Sequence, residues 1–428
     1  MRRMPRVSLT LLALTCLCGC RSGTKDHSAH LAGWRPPATN PREQIVNANT
    51  HFGLNLLHDL RQERPDQNTI ISPLSLGLAL AMTYNGAGST TRTAIGKTLQ
   101  VNGLAIEQVN QEYKALSDAV RHADRRVEVD IANSMWVGRD CHFLPEFLTL
   151  GRKFYDAQAS GIDFQSPDAA GTINAWGSKR TKGKISEIVS QQELSGQPVA
   201  ALLLDAAYFG GKWTNPFEKF VTQPRKFRLL KGQEREVPMM AQLGEYLYLE
   251  TLEFQAVNLP YESGRLSFYV FLPKATDGVE SLCKSVTPES WQGWMSQFAP
   301  REGTLNLPHF RVQDDLHLGT ALKHLGMTDA FAEGRADFGP MCGGGVWIDD
   351  VRQRTYLYVH ERGTEAAAIT QMMIYGSMIM PHRDQFAMIV DHPFLFAIRD
   401  NGTGAILFMG VVVDPGNAEG FFGRPGAR

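Results

Sequence analysis

Toward the end of the chain, short apolar runs read as strands: Tyr356-Leu357-Tyr358-Val359, Met388-Ile389-Val390, Phe394-Leu395-Phe396-Ala397-Ile398 and Ala405-Ile406-Leu407-Phe408-Met409. Asn401-Gly402 between the last two is a hairpin signal, which outweighs the formal glycosylation sequon Asn401-Gly402-Thr403. Between the first two runs the pattern changes. Glu361 to Thr370 reads ERGTEAAAIT, a run of small residues with high backbone freedom, far from either terminus. It predicts a loop able to become a strand. Strand side chains alternate between faces, so Thr364, Ala366, Ala368, Thr370, Met372 and Ile374 would share one face. Glu365, Ala367, Ile369, Gln371, Met373 and Tyr375 would share the other. The first set is uncharged and small where the chain enters, while the second holds the only carboxylate and the only amide. One face suits burial and the other water. An ordinary exposed loop, or an Ala-rich helical turn, does not account for that parity.

The same stretch resembles the reactive-loop hinge of the serpins, and further segments follow in that family's order. Asn68 to Met82 resembles the second helix and its approach, and Asn133-Ser134-Met135-Trp136 a strand of the central sheet. Thr172 to Ile188 resembles the segment before the gate between sheets, and Asp205 to Phe217 the next strand and turn. Val237-Pro238-Met239-Met240, Leu307-Pro308-His309-Phe310, Leu325 to Phe331 and Asp391 to Phe396 complete the series, over roughly residues 45–415. The resemblance implies an α+β fold: a single domain with three β-sheets, about nine helices and an exposed reactive loop at about 361–385.

It also implies a serine-type endopeptidase inhibitor that acts as a suicide substrate. A protease cuts the loop, the loop inserts into the central sheet, and the protease is trapped covalently. Such a native state is held kinetically, above its free-energy minimum. The implied hinge is Glu361, Gly363, Thr364, Glu365, Ala366, Ala367 and Ala368. Gly363 supplies freedom, Thr364 enters first, and the alanines need little room. Ile369 departs from the family's run of alanines, but it falls on the outward face. The implied reactive bond joins Ser377 and Met378, with Tyr375, Met380 and Arg383 as alternatives. A small or apolar residue there suits an elastase-like or subtilisin-like protease, or a cysteine protease; Arg383 would suit a trypsin-like one. The alternative reading is a non-inhibitory or substrate-like binding protein on the same fold.

The implied sheet-opening region is Ser72, Ser75, Asp205 and Gln353. Ser72 reads as a helix N-cap with Pro73 at the first helical position. Asp205 and Gln353 stand where the family usually has asparagine and histidine, and we expect them to act as a coupled pair. A buried Asp205 would need compensation or a raised pKa.

Composition adds bounds. The 428 residues are 43% hydrophobic with a formal net charge of -1, which argues against a nucleic-acid partner. Arg125-Arg126 and Lys179-Arg180-Thr181-Lys182 read as solvated charge. Residues 1–19 read as a signal peptide, too short to span a membrane. Leu17-Cys18-Gly19-Cys20 resembles a bacterial lipobox, with Cys20 lipidated and Cys18 unusual; a plain secretion signal is the alternative. Residues 20–44 would be a flexible tether and 416–428 a tail. The expected product is exported, as a lipoprotein at the cell envelope or as an extracellular protein, and monomeric. Cys141, Cys283 and Cys342 do not suggest a disulfide framework, so stability is expected from packing.

No catalytic constellation, metal site or cofactor is expected. Gly96-Lys97-Thr98 lacks the earlier glycine of a phosphate loop, where Thr91 stands, and His360-Glu361 has Thr364 where a zinc helix needs histidine. No G-x-S-x-G elbow occurs.

Overall fold

The structure is a computed structural model and describes residues 41–195, 199–364 and 385–416. Its strands in chain order are β1 (Thr69–Ile71), β2 (Glu128–Gly138), β3 (Gln158–Ile162), β4 (Ala201–Lys212), β5 (Gln223–Arg228), β6 (Glu234–Glu250), β7 (Phe254–Tyr261) and β8 (Leu266–Pro273). They continue with β9 (Ala299–Pro308), β10 (Phe310–His317), β11 (Asp350–His360), β12 (Gly363–Thr364), β13 (Phe386–Ile389), β14 (Phe394–Asp400) and β15 (Ile406–Val412).

These form two hydrogen-bonded networks. The six-stranded sheet has the order β10-β11-β12-β4-β2-β3, and β11 also pairs directly with β4. The nine-stranded network runs β1-β15-β14-β8-β7-β6-β9-β13, with β5 on β6. Within it the 17-residue β6 passes from the sub-sheet of β1, β15, β14, β8 and β7 to that of β5, β9 and β13. The three sheets expected from the sequence are therefore present, two of them sharing one strand. Eleven α-helical stretches occur among the described residues rather than about nine; the excess comes from short ones such as Gln191–Ser195, Gly319–Leu322 and Gly339–Cys342.

The helix Pro73–Gly86 explains the layering. Thirteen of its residues are buried, because it lies between the two networks and packs on β2, β4 and β15. A helix enclosed on all sides is apolar on all sides. The outer face of the six-stranded sheet carries Ala132, Trp136, Leu202, Leu204 and Ala206, covered by Ile173 and Trp176 of the helix Ala169–Arg180. The alternate positions Met135, Leu203 and Ala207 face the main core.

One expectation fails here. Cys141 and Cys342 form a disulfide across a sequence separation of 201, with Cα atoms 5.8 Å apart, and among the described residues Cys283 is the one left free. Spacing along the chain did not reveal it, because the fold alone brings the turn after β2 against the helix Gly339–Cys342. In the chain-entropy account a closure this long contributes on the order of 5 kcal/mol. Packing is thus not the sole source of stability.

The Asn401-Gly402 hairpin is present between β14 and β15. Its left-handed residue, however, is Gly404 at φ 86°.

Candidate functional site

The two candidate regions lie along one seam. β4 and β11 run parallel and pair from Leu202 with Asp350 to Tyr208 with Tyr356. Beyond that pairing the chain leaves β11, turns, and returns as β12 between the two strands. Thr364 pairs with Val359 on one side and Gly211 on the other; Gly363 pairs with His360 and Lys212. The hinge has already entered the sheet by two residues.

Each residue of this entry has a physical reason. Gly363 has φ +148°, and a Cβ there would lie 2.0 Å from the Gly211 carbonyl oxygen, so only glycine fits. Thr364 faces inward, fully buried, and shares a 2.7 Å hydrogen bond with the Tyr261 hydroxyl. The parity read from the sequence is met at this position. Tyr261 stacks on Trp213 with ring centroids 4.6 Å apart, and the Trp213 indole donates to the His360 carbonyl at 2.8 Å. The backbone N-H groups of Trp213 and Phe217 donate to the carbonyls of Arg362 and Glu361. The turn into the hinge is therefore fastened to the segment after β4. Removing one buried partner costs about 1–2 kcal/mol, so Tyr261→Phe should lose about that much in urea unfolding while keeping the fold.

Glu361 corrects another expectation. The loop from about 361 was expected to be exposed, yet Glu361 is 5% exposed and Gly363 and Thr364 are buried. The Glu361 carboxylate accepts from the Thr222 hydroxyl at 2.8 Å and pairs with His309 Nδ1 at 3.5 Å. Burial alone would raise its pKa, but the hydrogen bond from His309, its own backbone N-H and Thr222 hold it at about 2. It is a charged peg in a dry socket. His309 stands in the Leu307-Pro308-His309-Phe310 segment, to which the sequence reading gave no individual role; Thr222, Trp213 and Tyr261 were missed as well.

Lower in the seam, Ser72, Ser75, Asp205 and Gln353 come together as expected. Gln353 and Asp205 are register partners across the seam, and Gln353 Nε2 donates to Asp205 Oδ2 at 2.6 Å and to the Ser72 carbonyl at 3.1 Å. Gln353 Oε1 accepts from the Ser72 N-H at 2.9 Å, and the Ser75 hydroxyl bonds Asp205 Oδ1. Asn133, the partner of Asp205 on β2, donates to the Ser75 carbonyl. Asp205 is fully buried, and no cation is among these partners. Burial therefore dominates and raises its pKa to about 7, against the lowering effect of Ser75 and Gln353. Ser72 sits at the N-cap position before Pro73, but its hydroxyl donates to the Leu407 carbonyl of β15 and caps nothing. It ties the helix to the neighbouring network.

The decoy motifs resolve simply. Gly96-Lys97-Thr98 ends the helix Ser89–Thr98, the wrong pole for a phosphate, and His360 ends a strand. In the basic cluster, Arg180 pairs with Asp156, and Lys182 with Glu128 and Asp130. Glu365, Ala366, Ala367, Ala368, Ser377, Met378 and Cys20 lie outside the described residues.

Known proteins share the sequence pattern and the overall fold. The family described as "Serpin (serine protease inhibitor)" matches residues 47–415. Leukocyte elastase inhibitor of Homo sapiens is 33% identical over 384 residues, covering 87% of this chain and 100% of its own length. Among solved structures, native protease nexin-1 with heparin superposes with a TM-score of 0.79 at 26% identity, covering 88% of this chain and 100% of that one. Human thyroxine-binding globulin complexed with thyroxine also gives 0.79, at 25% identity, with 88% and 100% covered.

Proposed function

Starting from the fact that this chain belongs to the serpin family, we propose that it is a serine protease inhibitor that works as a suicide substrate. The family is described by protease inhibition rather than by an enzyme activity, and the human relative is named for leukocyte elastase. The observation that carries the mechanism is β12. A strand already begun between β4 and β11 needs only a cut further along the loop to continue downward. Each added residue gains ladder partners on both sides. The target is an elastase-like or subtilisin-like serine protease, or a cysteine protease, cutting between Ser377 and Met378.

The test is a panel of serine and cysteine proteases incubated with the mature protein. An SDS-stable complex is expected with an elastase-like enzyme, and the new N-terminus of the C-terminal fragment should be Met378. The cleaved protein should melt well above the intact one. Cleavage with neither a complex nor a gain in melting temperature would reject the inhibitor reading. It would favour the binding-protein alternative, for which the likeness to thyroxine-binding globulin is the motivating observation.

For location, we read residues 1–19 as a leader and Cys20 as a lipid-anchored first residue, on the residue pattern alone. On this reading the protein is a monomeric bacterial lipoprotein tethered through 20–44 at the envelope, or, with a plain secretion signal, an extracellular protein. The Cys141–Cys342 bridge supports export, since disulfides persist in oxidising compartments.

A further inference from the structure

The disulfide occupies a mechanically particular place. A strand continuing from β12 would divide the six-stranded sheet into β3-β2-β4 on one side and β11-β10 on the other, and would separate them by about one further strand spacing, roughly 4.8 Å. β2 runs antiparallel to β4, so its C-terminal end at Gly138 lies at the foot of the seam, opposite the hinge. Cys141 follows it closely, its N-H bonded to the Gly138 carbonyl at 3.0 Å. Its bridge partner, Cys342, belongs to a different body. Met341 beside it packs against Gly86 of the buried helix, where an added Cβ would meet the Met341 side chain at 2.9 Å. The Asp337 carbonyl accepts from the Gly88 N-H at 2.8 Å, and the Met341 carbonyl from Leu144. The bridge thus pins the foot of the β3-β2-β4 unit to the helical layer beneath it.

The other half of the sheet is held by separate contacts: the Asp349 N-H donates to the Ala201 carbonyl, its carboxylate accepts from the N-H groups of Ala200 and Ala201, and the Ile348 N-H donates to the Ala330 carbonyl. Cys342 leads toward β11 through Gly343, Gly344 and Gly345, at φ 82°, 103° and 75°. Three consecutive left-handed glycines separate Cys342 from β11, so the bridge bears on β2 rather than on β11. Cys141 and Cys342 are both partly exposed, within reach of a small reagent. Cys283 is buried, and burial raises its thiol to about 12, which keeps it out of exchange.

We propose that the Cys141–Cys342 bridge is a site of thiol–disulfide exchange whose reduction by a dithiol frees the foot of the seam and speeds strand insertion. This rests on the insertion reading above. In the chemical step a thiolate of the dithiol attacks one bridge sulfur and displaces the other cysteine as thiolate. The second thiol of the reagent then closes on the mixed disulfide and releases the first cysteine. Two electrons and two protons pass from the dithiol, which becomes a cyclic disulfide, to the bridge, which becomes two thiols.

The test uses the full chain and a synthetic peptide with the sequence of residues 364–374, followed by native gel as it enters the sheet. Uptake is compared for the oxidised protein, the protein reduced with dithiothreitol, the C141S/C342S double variant, and a variant with two glycines inserted between Gly138 and Arg139 and the bridge retained. Uptake about tenfold faster, the effect of about 1.4 kcal/mol on a barrier, is expected in all three altered forms. The lengthened variant keeps the bridge, so it reads the constraint even if loss of the disulfide prevents folding. Equal or slower uptake in the altered forms overturns the proposal and leaves the inhibitor reading intact. No uptake in any form, together with no thermal gain on loop cleavage, overturns both.

Discussion

At pH 8 the Asp205→Asn variant should unfold at a clearly higher denaturant concentration than the parent chain, whereas at pH 4 the two should unfold together. The carboxyl is fully buried beside Ser75 and Gln353, and its folded pKa is raised from the ordinary 3.8 to about 7. A raised carboxyl pKa means that the folded state prefers the protonated acid. Its contribution is favourable below pH 4 and is lost as pH climbs toward 7, beyond which the folded chain carries a buried, uncompensated carboxylate. A shift of this size is worth on the order of 4 kcal/mol. Asparagine keeps the shape, with its oxygen available to Gln353 Nε2 and its amide to the Ser75 hydroxyl. The pH slope between 4 and 7 should therefore flatten in the variant. Denaturation midpoints at both pH values decide the matter: an unchanged slope would show that Asp205 is not the titrating group. Unchanged stability and inhibition kinetics would also dismiss the pairing of Asp205 with Gln353 as a functional unit.

Thr364→Arg should turn the inhibitor into a substrate. Thr364 is fully buried between β11 and β4, with its hydroxyl on Tyr261. An arginine at this position must either bury an unpaired cation or leave the seam, and the first option costs several kcal/mol. About 4 kcal/mol on the insertion barrier slows insertion roughly a thousandfold, long enough for the acyl-enzyme to hydrolyse. Loop cleavage should continue at its normal rate while the SDS-stable complex disappears, and Thr364→Ser should behave like the parent. Full complex formation by the arginine variant would contradict the view that insertion proceeds through β12.

The signal read as a hinge is local, made of small residues, one glycine and a period-two parity, and within the described residues it can be followed only as far as Thr364, which is buried. The apolar runs around it were legible as strands for the same reason. Asp205 opposite Gln353 was found through the family's order of segments, and its burial then followed from the inward face of β4. The features that escaped depend on distant parts of the chain. Nothing near Glu361 announces Thr222 or His309, and nothing near Cys141 announces Cys342. Ser72 had the residue type of a cap, yet the hydroxyl went to β15, because a better acceptor arrived from more than three hundred positions away. Local patterns specify which face a residue presents; they do not specify what meets it there.

The two ends of the loop are anchored in different networks, β12 in the six-stranded sheet and β13 on β9 in the nine-stranded one. Everything after a cut at Met378 contains β13, β14 and β15, and the last two sit between β8 and β1 with both flanks paired. A nicked molecule is therefore a two-chain particle that differs in mass only by the water added at the cut. It will leave a sizing column where the intact protein does, and a denaturing gel is needed to separate its two chains.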